Sequence, residues 1–464
     1  MELIDPKKYR QLFLDDGAID SKIGVHQQLH QPRKCGPVVL PDRARGETAL
    51  QSRVSPQWNS EKKLWEWWLA NDYATSEDAE HWERRPIEDA PRHLVRDERD
   101  PDPQRRYKGL LPNGVNNNQV PGLSADGIRW TRPDVSEIPS QDESQFTYDP
   151  YNEQFIAMVK QSTEWGRSVF LSTSKDGEHY SDLELIFHTD EQDWENCRKR
   201  VREMLANPAF IKPPIVDDED YIAEAYHMAV MPYEGLYVGF PLILNPIGAV
   251  PPPHMNFTRI NQIELTVSRD LYHWDRVADR ELFIGIEPWD GKRWDTSQVG
   301  MSGAPIVKED GEIWIYYIAC RIPASREFHE SFDNNRELFR LNVDPDLFDE
   351  GTTICLAKLR PDGFVSLDAD EAGTIVTKPF EWKGEDLYVN ADAKWGEIYA
   401  DILDAETDKC LPGFWVPAEL PTPLTGDHTR VKIKWKPDHD LVFEKPVKVR
   451  FYLNRARLYS FWLE

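Results

Sequence analysis

The chain has 464 residues, 40% of them hydrophobic, and carries 81 acidic against 55 basic side chains for a formal charge of −26. That length exceeds what one hydrophobic core usually organises, so two domains are expected. The acidic charge, without any basic block, argues against a nucleic-acid partner, and no apolar run approaches the roughly 20 residues of a membrane span.

From the N-terminus, MELIDPKKYRQLFLDD lacks the apolar core of a secretory leader, which gives a cytoplasmic expectation. Five scattered cysteines without a C-x-x-C pair read as small buried hydrophobes, not as a disulfide or zinc framework. A strand-like run, LWEWWLANDYAT (64–75), leads into SEDAEHW (76–82). The same Ser-x-Asp-x-x-x-aromatic turn returns as SADGIRW (124–130), SKDGEHY (174–180) and SRDLYHW (268–274). Between the first two copies, the charged run IEDAPRHLVRDERDPDPQRR (87–106) reads as a solvated loop, with Arg106 beside Tyr107 as the pair able to reach a ligand. FIAMVKQSTEWGRSVFLST (155–173) leads into the third copy. The fourth is delayed by TDEQDWENCRKRVREML (189–205), where Trp194, Cys197, Val201 and Leu205 fall at helical spacing behind a Thr189…Gln192 capping box. DDED (217–220) reads as a solvated turn, and with no H-E-x-x-H, EF-hand loop or Cys/His cluster, neither metal nor cofactor is expected.

GLYVGFPLIL (235–244) and NQIELTV (261–267) precede the fourth turn, and a fifth unit without the turn occupies 301–321 and 353–378. A period near 45–50 residues with about four short strands predicts propeller blades, with the turns as structural staples. The remaining tail, through EDLYVNADAKWGEIYADILDAE, TRVKIKWK and KVRFYLNRARLYSFWLE, alternates as an antiparallel sandwich does. The expectation is an all-β chain. It comprises a five-bladed β-propeller over 1–370, a β-sandwich over 371–464, and one helical insertion at about 189–206.

With FLDD (13–16), RRYKGL (105–110), YDP (148–150), MPYEGLYVGF (231–240), ELTVSRD (264–270) and LRPDGFVSLDA (359–369), the chain resembles the glycoside hydrolase family 32/43/68 superfamily, in particular a group of bacterial family-32-like propellers. The resemblance implies a carbohydrate substrate and three axial carboxylates from inner strands of different blades. The invertase-type W-M-N-D-P-N-G, R-D-P and E-C motifs are absent, which points away from sucrose or fructan.

Cleaving a glycosidic bond needs one carboxylic acid to protonate the leaving oxygen and one carboxylate facing the anomeric carbon. Residues some eight to twelve positions ahead of a hairpin supply the candidates: Glu47, Asp142 or Glu143 (only one of which points inward from a strand), Glu224 and Asp295. Glu224, among Ala223, Ala225 and Met228, is the expected general acid, Glu47 the base or nucleophile, and Asp142 or Glu143 the sugar-orienting group. Arg106, Tyr107, His227, Arg293 and Trp294 are the expected substrate-binding residues. The reading is an exo-acting glycosidase on an oligosaccharide end. A non-catalytic glycan-binding propeller, and a phosphorylase or lyase using Arg293, Arg321, His227 and His254, stand as alternatives.

Overall fold

The computed structural model describes residues 3–464 except 89, 114, 214, 218, 251–255, 322–350, 415–422 and 436–440. The regular structure of the described residues is mostly β-strand, with one α-helix. No helix among the described residues is long and apolar enough to cross a membrane.

Three separate antiparallel sheets come first. One contains Gln57–Asn59, Leu64–Leu69, Asp72–Ser76 and Glu83–Pro86; the next His93–Arg96, Tyr107–Pro112 and Gln119–Ser124; the third Ser144–Asp149, Gln154–Thr163, Gly166–Ser174 and Glu184–Phe187. Two further runs follow. Glu224–Tyr233, Leu236–Val250, Thr266–Ser268 and Asp275–Arg276 form one, and Gln298–Met301, Ile313–Cys320 and Thr352–Leu359 the other. Asn256–Ile263 joins these two runs into a ten-stranded sheet through its pairing with Leu236–Val250 and a parallel contact at Asn261–Gln298. The last place in the final run is taken by Arg33–Val39, which pairs with Thr352–Leu359.

Each repeated turn follows the third strand of its run. In the first, the Ser76 hydroxyl accepts from the Ala79 N–H at 2.8 Å and lies 3.0 Å from Asp78. Asp78 Oδ1 accepts the Glu80 and His81 amides, and Trp82 closes the seam by donating to the Ala79 carbonyl. The residue three after the serine has φ of 70°, 74°, 78° and 75° at Ala79, Gly127, Gly177 and Leu271. This left-handed requirement accounts for glycine in two copies. At Gly127 a Cβ would also stand 2.4 Å from the Trp68 ring.

Two local expectations are corrected. The helix spans Glu191–Ala206, but Asp190 and Asp193 make the capping box, not Thr189 and Gln192. Thr189 instead donates to the Ala223 carbonyl at 2.7 Å and ties the helix to the next strand. The run 87–106 is not all solvated loop, because His93–Arg96 pairs with Tyr107–Pro112 and His93 is buried.

Val365–Thr377, Leu387–Asp404, Leu424–Lys432 and Val447–Leu463 form a seven-stranded sheet with Gln11–Leu12, Ile19–Ile23 and His26–Leu29. Its central strand is Val447–Leu463. At Arg455 (φ 44°) both neighbours bulge at the same height, between Ala369 and Ala372 on one side and between Asp392 and Glu397 on the other. Extra residues on both flanks of one strand crease the sheet there. Its apolar face, including Phe380, Trp382, Phe451 and Phe461, forms a separate core.

Candidate active site

The leading segments of the five runs touch one another. The His93 Nδ1–H donates to the Arg53 carbonyl at 3.1 Å, and the Arg53 guanidinium grips Glu143 through two contacts of 2.5 and 2.7 Å. Two residues along that strand, the Gln145 amide reaches His227 Nδ1 at 3.4 Å and the Met301 carbonyl at 3.3 Å. The Ser55 hydroxyl donates to the Ala304 carbonyl, which returns the circuit to the first run. A cavity of about 290 Å³ opens at these contacts, lined by Arg53, Arg92, His93, Trp68, Asp142 and Glu143 among others.

Two carboxylates line the cavity, Asp142 and Glu143, and a third, Glu224, is linked to them through Arg167 and Tyr226; each has its own cation. Burial opposes the charge on Glu143, but Arg53 outweighs it and holds the carboxyl down at about 2. Asp142 is held more loosely, with Lys160 Nζ at 3.4 Å and the Tyr226 hydroxyl donating at 2.8 Å. Its side chain is 44% exposed, against 17% for Glu143. Glu224 opens the strand that carries Tyr226; it pairs with the Arg167 guanidinium and accepts the Arg167 amide at 3.1 Å. Burial pushes Lys160 below its ordinary value and Tyr226 far above its own, the latter with help from the Glu143 and Asp142 charges. His93 and His227, both buried, are lowered to about 4 and about 3 and stay neutral near pH 7. Among the described residues, no group of three or more His, Cys, Asp and Glu side chains is arranged to hold a metal ion.

The structure therefore brings Asp142 and Glu143 to one cavity, with His227 joined to it through Gln145 and Glu224 through Arg167 and Tyr226. Asp142 and Glu143 both line the cavity, contrary to the alternation expected of a strand. Asp142 precedes the strand, which starts at Ser144, and turns with φ 146°. Glu47 is not among them: Arg84 and Arg45 hold it beside Asp72 at the outer strands of the first sheet. Asp295 is buried in an ion pair with Lys34 of the closing strand, at 2.8 Å. Tyr107 is buried between the first two sheets with its hydroxyl on Glu66, and Arg106 donates to the Asp97 carbonyl. Arg293 pairs with Asp290, and Trp294 is buried with the Arg321 guanidinium 3.5 Å from its ring centroid. His254 lies outside the described residues. Arg53, His93, Lys160, Arg167 and Tyr226 are site residues that sequence reasoning passed over. Arg53 stands in the inner stretch that follows Glu47, and Tyr226 lies two residues beyond Glu224 on the same strand.

No protein-family model and no curated protein matches the chain. Solved structures do match. The catalytic domain of a Coprinopsis cinerea GH62 α-L-arabinofuranosidase is 10% identical with a TM-score of 0.42, over 72% of this chain and 97% of that one. A Bombyx mori GH32 β-fructofuranosidase is 10% identical with a TM-score of 0.36, over 93% of each chain. A β-1,2-mannobiose phosphorylase from Listeria innocua is 16% identical with a TM-score of 0.29, over 66% and 76%. At these identities and scores, neither substrate nor catalytic residue passes from those proteins to this chain.

Proposed function

We propose that the cavity is the active site of an exo-acting glycosidase, set on the axis of a five-bladed propeller with a sandwich packed beside it. The five runs are its blades, and the division falls near residue 370, with the strands at 11–29 pairing into the sandwich. The reading rests above all on two carboxylates sharing one cavity in different electrostatic settings. Glu143 is clamped and ionised, while Asp142 is loosely held and open to solvent. Such a division of roles is what glycoside cleavage requires. Glu143 faces the anomeric carbon as base or nucleophile, and Asp142 delivers the proton to the leaving oxygen. Glu224 fixes Arg167, which stands 5.5 Å from the Tyr226 ring, and so positions the tyrosine that orients Asp142.

The cavity, at about 290 Å³, is just smaller than the ~300–1,000 Å³ usual for small-molecule sites. That size suits the end of a sugar chain better than a run of sugars. Asp142→Asn should lower turnover by about 10²–10⁴-fold on glycosides with poor leaving groups. Activated aryl glycosides, which hardly need protonation, should lose far less. If Glu224→Gln shows that leaving-group dependence and Asp142→Asn does not, the acid is Glu224. If neither does, the cavity does not cleave by acid catalysis.

A further inference from the structure

The crease in the C-terminal sheet carries a second feature, well apart in sequence from the axial residues. Trp395 is 82% exposed, an unusual state for the largest apolar side chain. The exposure is built in by the backbone. Residues 393–396 stand opposite only two residues of the central strand, so the surplus pushes Trp395 outward. Gly396 makes the bulge feasible, since a Cβ there would lie 1.8 Å from the Asn454 carbonyl oxygen.

Beside the indole lies a cavity of about 270 Å³ lined by Asp368, Asp370, Asp392, Lys394 and Arg457. Three of these run across adjacent strands: Asp368 pairs in register with Arg457, which pairs in turn with Asp392. Arg457 Nε reaches Asp368 at 2.9 Å, with Asp370 exposed and Asp392 half-buried beside it. Acids and bases alternate here, so the cavity has no strong net preference for a charged ligand. It offers fixed acceptors and donors beside one flat apolar ring. That combination matches a pyranose or furanose, whose apolar C–H face stacks on an aromatic while its hydroxyls both donate and accept.

We propose that this crease is an ancillary binding site for a neutral polysaccharide, which would hold a long substrate near the axial cavity. The inference takes its ligand class from the glycosidase reading, but binding at the crease is measurable without catalysis. Native electrophoresis through gels containing arabinan, inulin, galactomannan or arabinoxylan supplies the probe. The wild-type protein should be retarded in at least one gel. Trp395→Ala should weaken that affinity about tenfold or more, with Asp392→Asn weakening it as well, and both variants should keep wild-type turnover of small aryl glycosides. Glu143→Gln should abolish turnover and keep the retardation, so failure of the axial reading leaves this one standing. Absence of retardation in every gel would overturn the proposal, as would equal retardation of Trp395→Ala. So would a change in sedimentation between wild type and Trp395→Ala, which would make the crease a self-association surface.

Discussion

Removing Arg53 should expose how strongly the axial site depends on one ion pair. Both side chains are largely buried, 18% and 17% exposed, and meet through two short parallel contacts. At an effective dielectric near 20, unit charges about 4 Å apart attract by about 4 kcal/mol. Stranding one member of a buried pair typically costs about 3–5 kcal/mol. Arg53→Gln should therefore destabilise the protein by about 3–5 kcal/mol in urea unfolding followed by tryptophan fluorescence at pH 7. Glu143→Gln should cost a similar amount, and the double substitution should cost less than the two singles together by at least about 2 kcal/mol. The activity profile supplies a second readout. Without Arg53, burial outweighs the smaller lowering influence of His227 and His93 on Glu143, so its carboxyl should climb from about 2 to at least the ordinary value of about 4.3. The acid limb of kcat/KM for an aryl glycoside should then appear near or above pH 4.5 in Arg53→Gln, while the wild-type limb stays lower. Additivity of the two substitutions within about 0.5 kcal/mol, or an unmoved acid limb, would refute the coupling.

Further outcomes follow from other parts of the molecule. His93 and His227 are depressed to about 4 and about 3, so between those values and about 6.5 the unfolded chain binds protons that the folded one does not. Stability should then fall as pH drops below about 6.5, by up to about 1.4 kcal/mol per pH unit for each histidine, and a His227→Gln variant should show a shallower slope. Gly46 and Gly127 share a left-handed φ of 71° and 74°, but only Gly127 has a ring in the way, so Gly127→Ala should cost clearly more than the about 1 kcal/mol expected for Gly46→Ala in parallel melts. Lys34→Met should cost about 3–5 kcal/mol by leaving Asp295 buried without its 2.8 Å cation, and Asp295→Asn in the same background should recover part of it.

What was legible in the sequence was local chemistry. The four turns could be read because Ser, Asp and the aromatic satisfy one another within seven residues, and the helix because its apolar positions recur within one element. The axial site was legible only in part, since its members come from different runs and meet through the ring of contacts. Asp142, Glu143 and Glu224 were chosen by their distance from hairpins, and the first two line one cavity. The same rule failed at Glu47. A strand-entering acid and a nearby arginine look equivalent in one dimension, and the fold turns Arg53 inward while Glu47 meets Arg84 outside. His93 was hidden by its charged neighbours, which mask a strand only four residues long. Tyr107 misled for the opposite reason, because Glu66, its hydroxyl's partner, lies 41 residues away.

The strand Arg33–Val39 gives the ten-stranded sheet an unusual timetable. Its hydroxyl-anchored partner, Thr353, donates to the Val39 carbonyl across 314 residues of sequence. At about 5–20 residues per second, a ribosome needs roughly 15–60 s to make the intervening chain. Throughout that interval the early strand waits with its backbone groups unpaired, an edge open to any neighbouring nascent chain. Contacts this distant in sequence also slow closure once synthesis is complete. The charges at Arg33 and Lys34, one of them destined for Asp295, give the waiting edge repulsion against its own copies until its proper partner emerges.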